Sequence, residues 1–133
     1  MTTKKAAVIK PFALSDFFTL DALVKGKELP VPKPDGSASG FNLLVMGSDA
    51  PAARKALLEA TRILRDGAKD DITAEEEAEL SHRANLHYRS ALAFGWDFPV
   101  PYSPEAITEL LLNNPGLAVE VEKLASDRAR FFA

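Results

Sequence analysis

The sequence predicts a mainly α-helical fold: a small helical domain of about four to five helices with an N-terminal β-hairpin. Three observations predict it. Apolar residues recur at helical spacing through most of the stretch from residue 51 to 125. Helix-start chemistry recurs at Thr73, Ser103 and Asn114, each followed by proline or by an acid. The stretch that resists a helix carries Pro30, Pro32 and Pro34 before an Asp35-Gly36 turn and a short apolar run. With 133 residues, the chain fits one domain. The expected division is a flexible arm at 1–11 and a single domain at 12–133. Within that domain, 12–47 supply a short helix and the hairpin, and 48–133 form the helical bundle.

Each element follows from local chemistry. The arm is polar at its start, with Val8 and Ile9 as its main apolar hold. Ser15 ahead of Asp16 marks a short helix within the apolar stretch that begins at Phe12 and holds Phe17, Phe18, Leu20 and Leu23. Residues 27–33 read as a proline-stiffened edge strand and residues 41–46 as its return strand. The return strand is the more adhesive edge, which points to self-association by strand addition.

Asp49 is the expected N-cap of the next helix, with Pro51 in its first turn and Gly67 at its end. Its apolar face is Ala53, Leu57, Ala60 and Leu64. Thr73 and Glu76 form a capping box for a second helix. Leu80, Ala84, His87, Ala91 and Phe94 follow at helical spacing, so this helix is expected to run to about Gly95. Trp96 to Tyr102 is a proline-punctuated connector. Ser103-Pro104-Glu105 opens a third helix through Leu112, and Asn114-Pro115 opens the last, carrying Leu117, Val121, Leu124 and Ala125. Phe131 and Phe132 are expected to fold back onto the body.

Composition excludes several function classes. The chain has no cysteine, which removes disulfide frameworks, thiolate nucleophiles and thiolate zinc sites. A net charge of −3, from 16 Lys and Arg against 19 Asp and Glu, offers no general field for nucleic acid or an anionic membrane. Residues 1–40 are nevertheless net basic by +2, and residues 41–133 net acidic by −5. No apolar run approaches the roughly 20 residues of a membrane span, and Lys10, Pro11 and Asp16 interrupt any secretory leader. The expected setting is therefore intracellular.

Nor does a catalytic set converge. His82 and His87 stand about 140° apart around a helix, which is wrong for a metal pair. Glu75, Glu76, Glu77 and Glu79 fan around a helix start, where the dipole and the cap explain them. The turn Gly47-Ser48-Asp49-Ala50-Pro51 opens a helix but lacks a phosphate-binding loop, and Asp49 repels an anion. Arg62, Arg65 and Lys69 are interrupted by Asp66, Asp70 and Asp71, so they make no nucleic-acid stripe. No metal, no cofactor and no catalytic residue is expected.

The order of short motifs carries further information. Pro34, Asp35, Gly36 and Gly40 mark a turn, and a strand then ends in Gly47-Ser48-Asp49-Ala50. A helical pair leads to Ala93-Phe94-Gly95-Trp96-Asp97, then to Val100-Pro101-Tyr102-Ser103-Pro104-Glu105, and a closing helix ends in Arg130-Phe131-Phe132. Over roughly residues 12–133 this resembles the tail assembly chaperones of long-tailed bacteriophages. The resemblance implies a mainly helical, non-enzymatic protein with a small β element. It implies binding to the tape measure protein, with the major tail tube protein as a further partner, in the cytoplasm of the infected host. Family members are usually absent from the finished virion.

The residues expected at a partner contact are Gly47, Ser48, Asp49, Gly95, Trp96, Tyr102, Phe131 and Phe132. Of these, Asp49 is a cap first, and Trp96 is a plug that pins its connector before it is a client contact. The rival readings are a structural minor tail or connector protein retained in the virion, and a small nucleic-acid-binding regulator.

Overall fold

The proline run dictates where the β structure begins. In the computed structural model, which describes residues 11–133, strand β1 (Lys27–Pro32) pairs antiparallel with β2 (Ala38–Val45). Leu29 stands opposite Leu43, and Val31 opposite Phe41. Pro34 occupies the position after Lys33 in a tight turn, closed by the Gly36 N–H on the Lys33 carbonyl at 2.8 Å. Asp35 braces it by accepting from the Ser37 N–H at 2.9 Å and the Ser37 hydroxyl at 2.6 Å. Gly36 sits at a φ of +90°, a conformation that favours glycine. The expected hairpin is therefore present. The expected arm lies almost wholly in residues 1–10, outside the described residues.

Five α-helices accompany the sheet among the described residues, 59% of which are helical. A 3-10 turn (Leu14–Phe17) leads into α1 (Leu20–Lys25) ahead of the hairpin. After it come α2 (Pro51–Gly67), α3 (Ala74–Leu92), α4 (Pro104–Asn113) and α5 (Pro115–Ser126), then a closing 3-10 turn (Arg128–Phe132). Three starts use the caps expected of them. Thr73 and Glu76 bond each other's backbone at 3.1 Å, Ser103 Oγ accepts from the Ala106 N–H at 3.0 Å, and Asn114 Oδ1 accepts from the Leu117 N–H at 3.2 Å.

Three expectations are corrected. The β structure is not confined to an N-terminal hairpin. A third strand, β3 (Ala93–Trp96), pairs antiparallel with β2 to give the order β1-β2-β3. Its residues carry the helical apolar spacing that extended the second helix to Gly95, yet α3 stops at Leu92. The competition is between a helix end weakened by Gly95 and the unpaired edge of a half-buried strand. Pairing prevails: Trp96 stands opposite Leu43, and Ala93 opposite Val45. The Leu92 carbonyl, freed at the helix end, accepts from the Met46 N–H at 3.0 Å.

The second correction concerns α2. It buries Ala53, Ala56 and Ala60, while Leu57, Leu58 and Leu64 remain exposed, Leu57 by 52%. The stripe facing α3 is the alanine one, rotated from the predicted Ala53–Leu57–Ala60–Leu64 face, because small side chains let two helices approach closely. Gly67 continues that close approach, since a Cβ there would lie 2.5 Å from Leu80 Cδ1. The third correction is the cap of α2. The N-cap position is Ala50, with no side-chain hydrogen bond, so Asp49 does not cap the helix.

The core lies between the inner face of the sheet, α4, α5 and the C-terminal end of α3. Leu43, Val45, Leu92, Ile107, Leu111, Val121 and Leu124 are fully buried there. Leu23, also fully buried, brings α1 against the end of β2, where the Gly47 N–H bonds the Leu23 carbonyl at 2.9 Å. A Cβ on Gly47 would meet Leu23 Cδ2 at 2.6 Å and Leu23 Cβ at 2.8 Å. Gly47→Ala is therefore expected to lower the unfolding free energy by about 1–3 kcal/mol through overpacking. Urea denaturation checks this.

Candidate functional site

The eight residues expected at a partner contact divide into three groups by position. The first is the junction between β2 and α2. Gly47 is buried, and the Ser48 N–H bonds the Ala125 carbonyl at the end of α5 at 2.8 Å. Asp49 receives Arg128 in two-point fashion, Nη2 donating to Oδ1 at 2.9 Å and Nε to Oδ2. That guanidinium holds the Asp49 carboxyl below its ordinary value. All three residues are engaged within the fold.

The second group is an aromatic cluster beside β3. Trp96 meets Phe98 and Tyr102 edge-to-face, each at 5.2 Å between ring centroids, and Phe98 meets Phe41 at 5.2 Å. Trp96 Nε1 donates to the Val100 carbonyl at 2.9 Å, and the Tyr102 hydroxyl donates to the Ala93 carbonyl at 2.7 Å. Burial pushes the Tyr102 phenol up. Asp97 accepts from the Asn42 backbone at 2.6 Å and from Asn42 Nδ2 at 3.0 Å, and these bonds lower its carboxyl pKa. Gly95 faces Leu44 at ordinary contact distance.

This cluster also overturns the expectation of an adhesive hairpin edge at residues 41–46. β2 is the central strand, with β3 on the side that was expected to be open. The outer margin of β1 carries Pro30 and Pro32, which have no N–H to offer. The margin of β3 is occupied in part by Tyr102 on Ala93.

The third group is the C-terminal pair, which the structure splits. Phe131 packs against the core, whereas Phe132 is 56% exposed.

One feature spans several elements: a groove of about 490 Å³ between α3 and α4, bounded on one side by Ile63 of α2. Leu86, Ala91 and Ile107 make it apolar, Arg83 and His87 stand along it, and Tyr102 lines it. Ser90 lines it as well, buried and with its hydroxyl lacking a hydrogen-bond partner. His87 Nε2 lies 2.9 Å from Glu59 Oε1, linking α3 to α2 and lowering the Glu59 carboxyl pKa. Tyr102 is the one expected contact residue that reaches this groove. The others are absent because they lie at the junction, on β3 or at the chain end. Residue by residue, the sequence signals for the groove are His87 and Ala91, successive members of the helical stripe of α3.

Among the described residues, no group of three or more His, Asp or Glu side chains is placed to hold a metal ion. Among those residues, too, no helix is long and apolar enough to cross a membrane. No protein-family model matches the sequence, and no curated protein or solved structure matches it.

Two outcomes follow from this geometry. Trp96→Ala removes a half-buried indole with its edge-to-face partners and should cost about 2–3 kcal/mol, read by thermal or urea unfolding. The Asp49–Arg128 pair predicts acid sensitivity. The folded-state pKa of Asp49 lies below 3.8, so its stabilisation is complete above that pH and lost as pH falls through the lowered value. Asp49→Asn should lower the melting temperature at neutral pH and give a shallower fall of melting temperature in acid than the native chain.

Proposed function

We propose that this chain is a non-catalytic tail assembly chaperone, which holds an apolar helical segment of a tape measure protein during phage tail morphogenesis in the host cytoplasm. The observation that carries the reading is the groove between α3 and α4. A helical client presents apolar side chains at i, i+3, i+4 and i+7, and a groove with an apolar floor and polar flanks suits that stripe. Ile63, Leu86, Ala91 and Ile107 supply such a floor, and Arg83 and His87 supply polar flanks. Tyr102 contributes an aromatic wall with its hydroxyl already bonded to Ala93, so it can meet a client without leaving a buried polar group unpaired.

Trp96 acts one step back. It packs on Tyr102 and keeps that wall in place. The succession of turn, strand-end and connector motifs supports the same reading, with the major tail tube protein as a second client. Shielding an apolar stripe needs no reacting group, only area and a slow enough release.

The test is co-expression with the long helical reading frame of the same gene cluster. The native chain should bring that protein into the soluble fraction and co-purify with it. Ala91→Arg and Thr108→Arg, placed in the groove, should abolish co-purification while leaving the circular dichroism spectrum and melting temperature of the chain unchanged. Client solubility that does not depend on this chain, or retention by both variants, overturns the reading.

A further inference from the structure

A second apolar surface lies away from the groove, ahead of the hairpin. Phe12, Leu14, Phe17 and Phe18 are each 62–74% exposed, and Leu20 and Val24 project from α1 beside them. Within residues 11–25 only Leu23 is fully buried. Phe12 and Phe17 meet edge-to-face at 6.2 Å, so the aromatic rings already cluster. α1 lies against the closing 3-10 turn, which brings exposed Phe132 to the same end of the molecule.

The area is large for a lone chain. At 150–250 Å² per aromatic side chain, the four phenylalanines alone expose on the order of 500 Å². Leu14, Leu20 and Val24 bring the patch to roughly 800 Å², above the roughly 300–600 Å² of the largest patch on an ordinary monomer. That value equals the area of about 800 Å² that each partner contributes to a stable interface of standard size.

We propose that this patch pairs with the same patch of a second copy, forming a closed two-fold dimer. Charge along the segment fits that partner. Asp16 and Asp21 precede Lys25, so two copies running antiparallel set acid against base, whereas parallel copies set acid against acid. A self-complementary patch related by a two-fold axis closes at two chains and leaves no surface for continued growth. Extension of the sheet is a poor competitor, because Pro30 and Pro32 blunt one margin and Tyr102 occupies part of the other.

Sedimentation equilibrium of the full chain over two decades of concentration tests this. The expected mass rises to twice that of the monomer and no further. Phe17→Asp and Phe18→Asp, at exposed positions, should each weaken dimerisation by roughly a hundredfold without altering the melting temperature of the monomer. Asp21→Lys and Lys25→Asp should each weaken it by roughly tenfold, and the two together should restore it. A monomer at every concentration, masses beyond the dimer, or a dimer indifferent to Phe17→Asp and Phe18→Asp overturns the proposal. Failure of the charge exchange to restore pairing overturns the antiparallel arrangement. Ala91→Arg should leave the dimer intact, which separates failure here from failure of client binding.

Discussion

Three consecutive backbone N–H groups hold this fold together by going to three different places. Met46 donates to Leu92 at the end of α3, Gly47 to Leu23 in α1, and Ser48 to Ala125 at the end of α5. Buried backbone donors must find partners, and here the chain leaving the sheet spends each one on a separate element. The sheet is thereby fastened to the helices at a single crossing. Arg128 adds a side-chain clasp on Asp49 one residue further on. α2 starts just after this crossing, and β3 starts just after the Leu92 carbonyl that it engages.

Much of the architecture was legible because it is written in local chemistry. The turn at Asp35-Gly36 and the caps at Thr73, Ser103 and Asn114 each need only a few neighbouring residues, and each forms as read. Periodicity misled where tertiary packing chose between two acceptable solutions. Phe94 continues a helical stripe, but β2 had an unpaired side, and strand pairing took residues 93–96. Leu57 and Leu64 make a more apolar face than Ala56, yet the face that can come closest to α3 is the alanine one. Asp49 looked like a cap because a proline follows at the second position, and only the fold brings Arg128, 79 residues away, within reach of its carboxylate.

The candidate site was less legible than the fold, for a related reason. Short motifs such as Gly47-Ser48-Asp49-Ala50 and Gly95-Trp96 stand out in a sequence because their backbone or packing demands are unusual. Those demands turn out to be internal: a glycine pressed on Leu23, a serine amide on Ala125, an indole on its own connector. The groove is assembled from common residues, such as Ile63, Leu86 and Ile107, which carry no distinguishing spacing because they belong to three helices. Tyr102 belongs to both descriptions. Its hydroxyl serves the sheet while its ring borders the groove.

The clasp between residues 49 and 128 has a bearing on how the chain is made. The hairpin is local in sequence, but Ser48 and Asp49 find their partners only when Ala125 and Arg128 have left the ribosome. Contacts of such long sequence separation form late and slowly. Until then α1 has nothing from the closing turn to rest against, so the hairpin precedes the junction that fastens it to the helices.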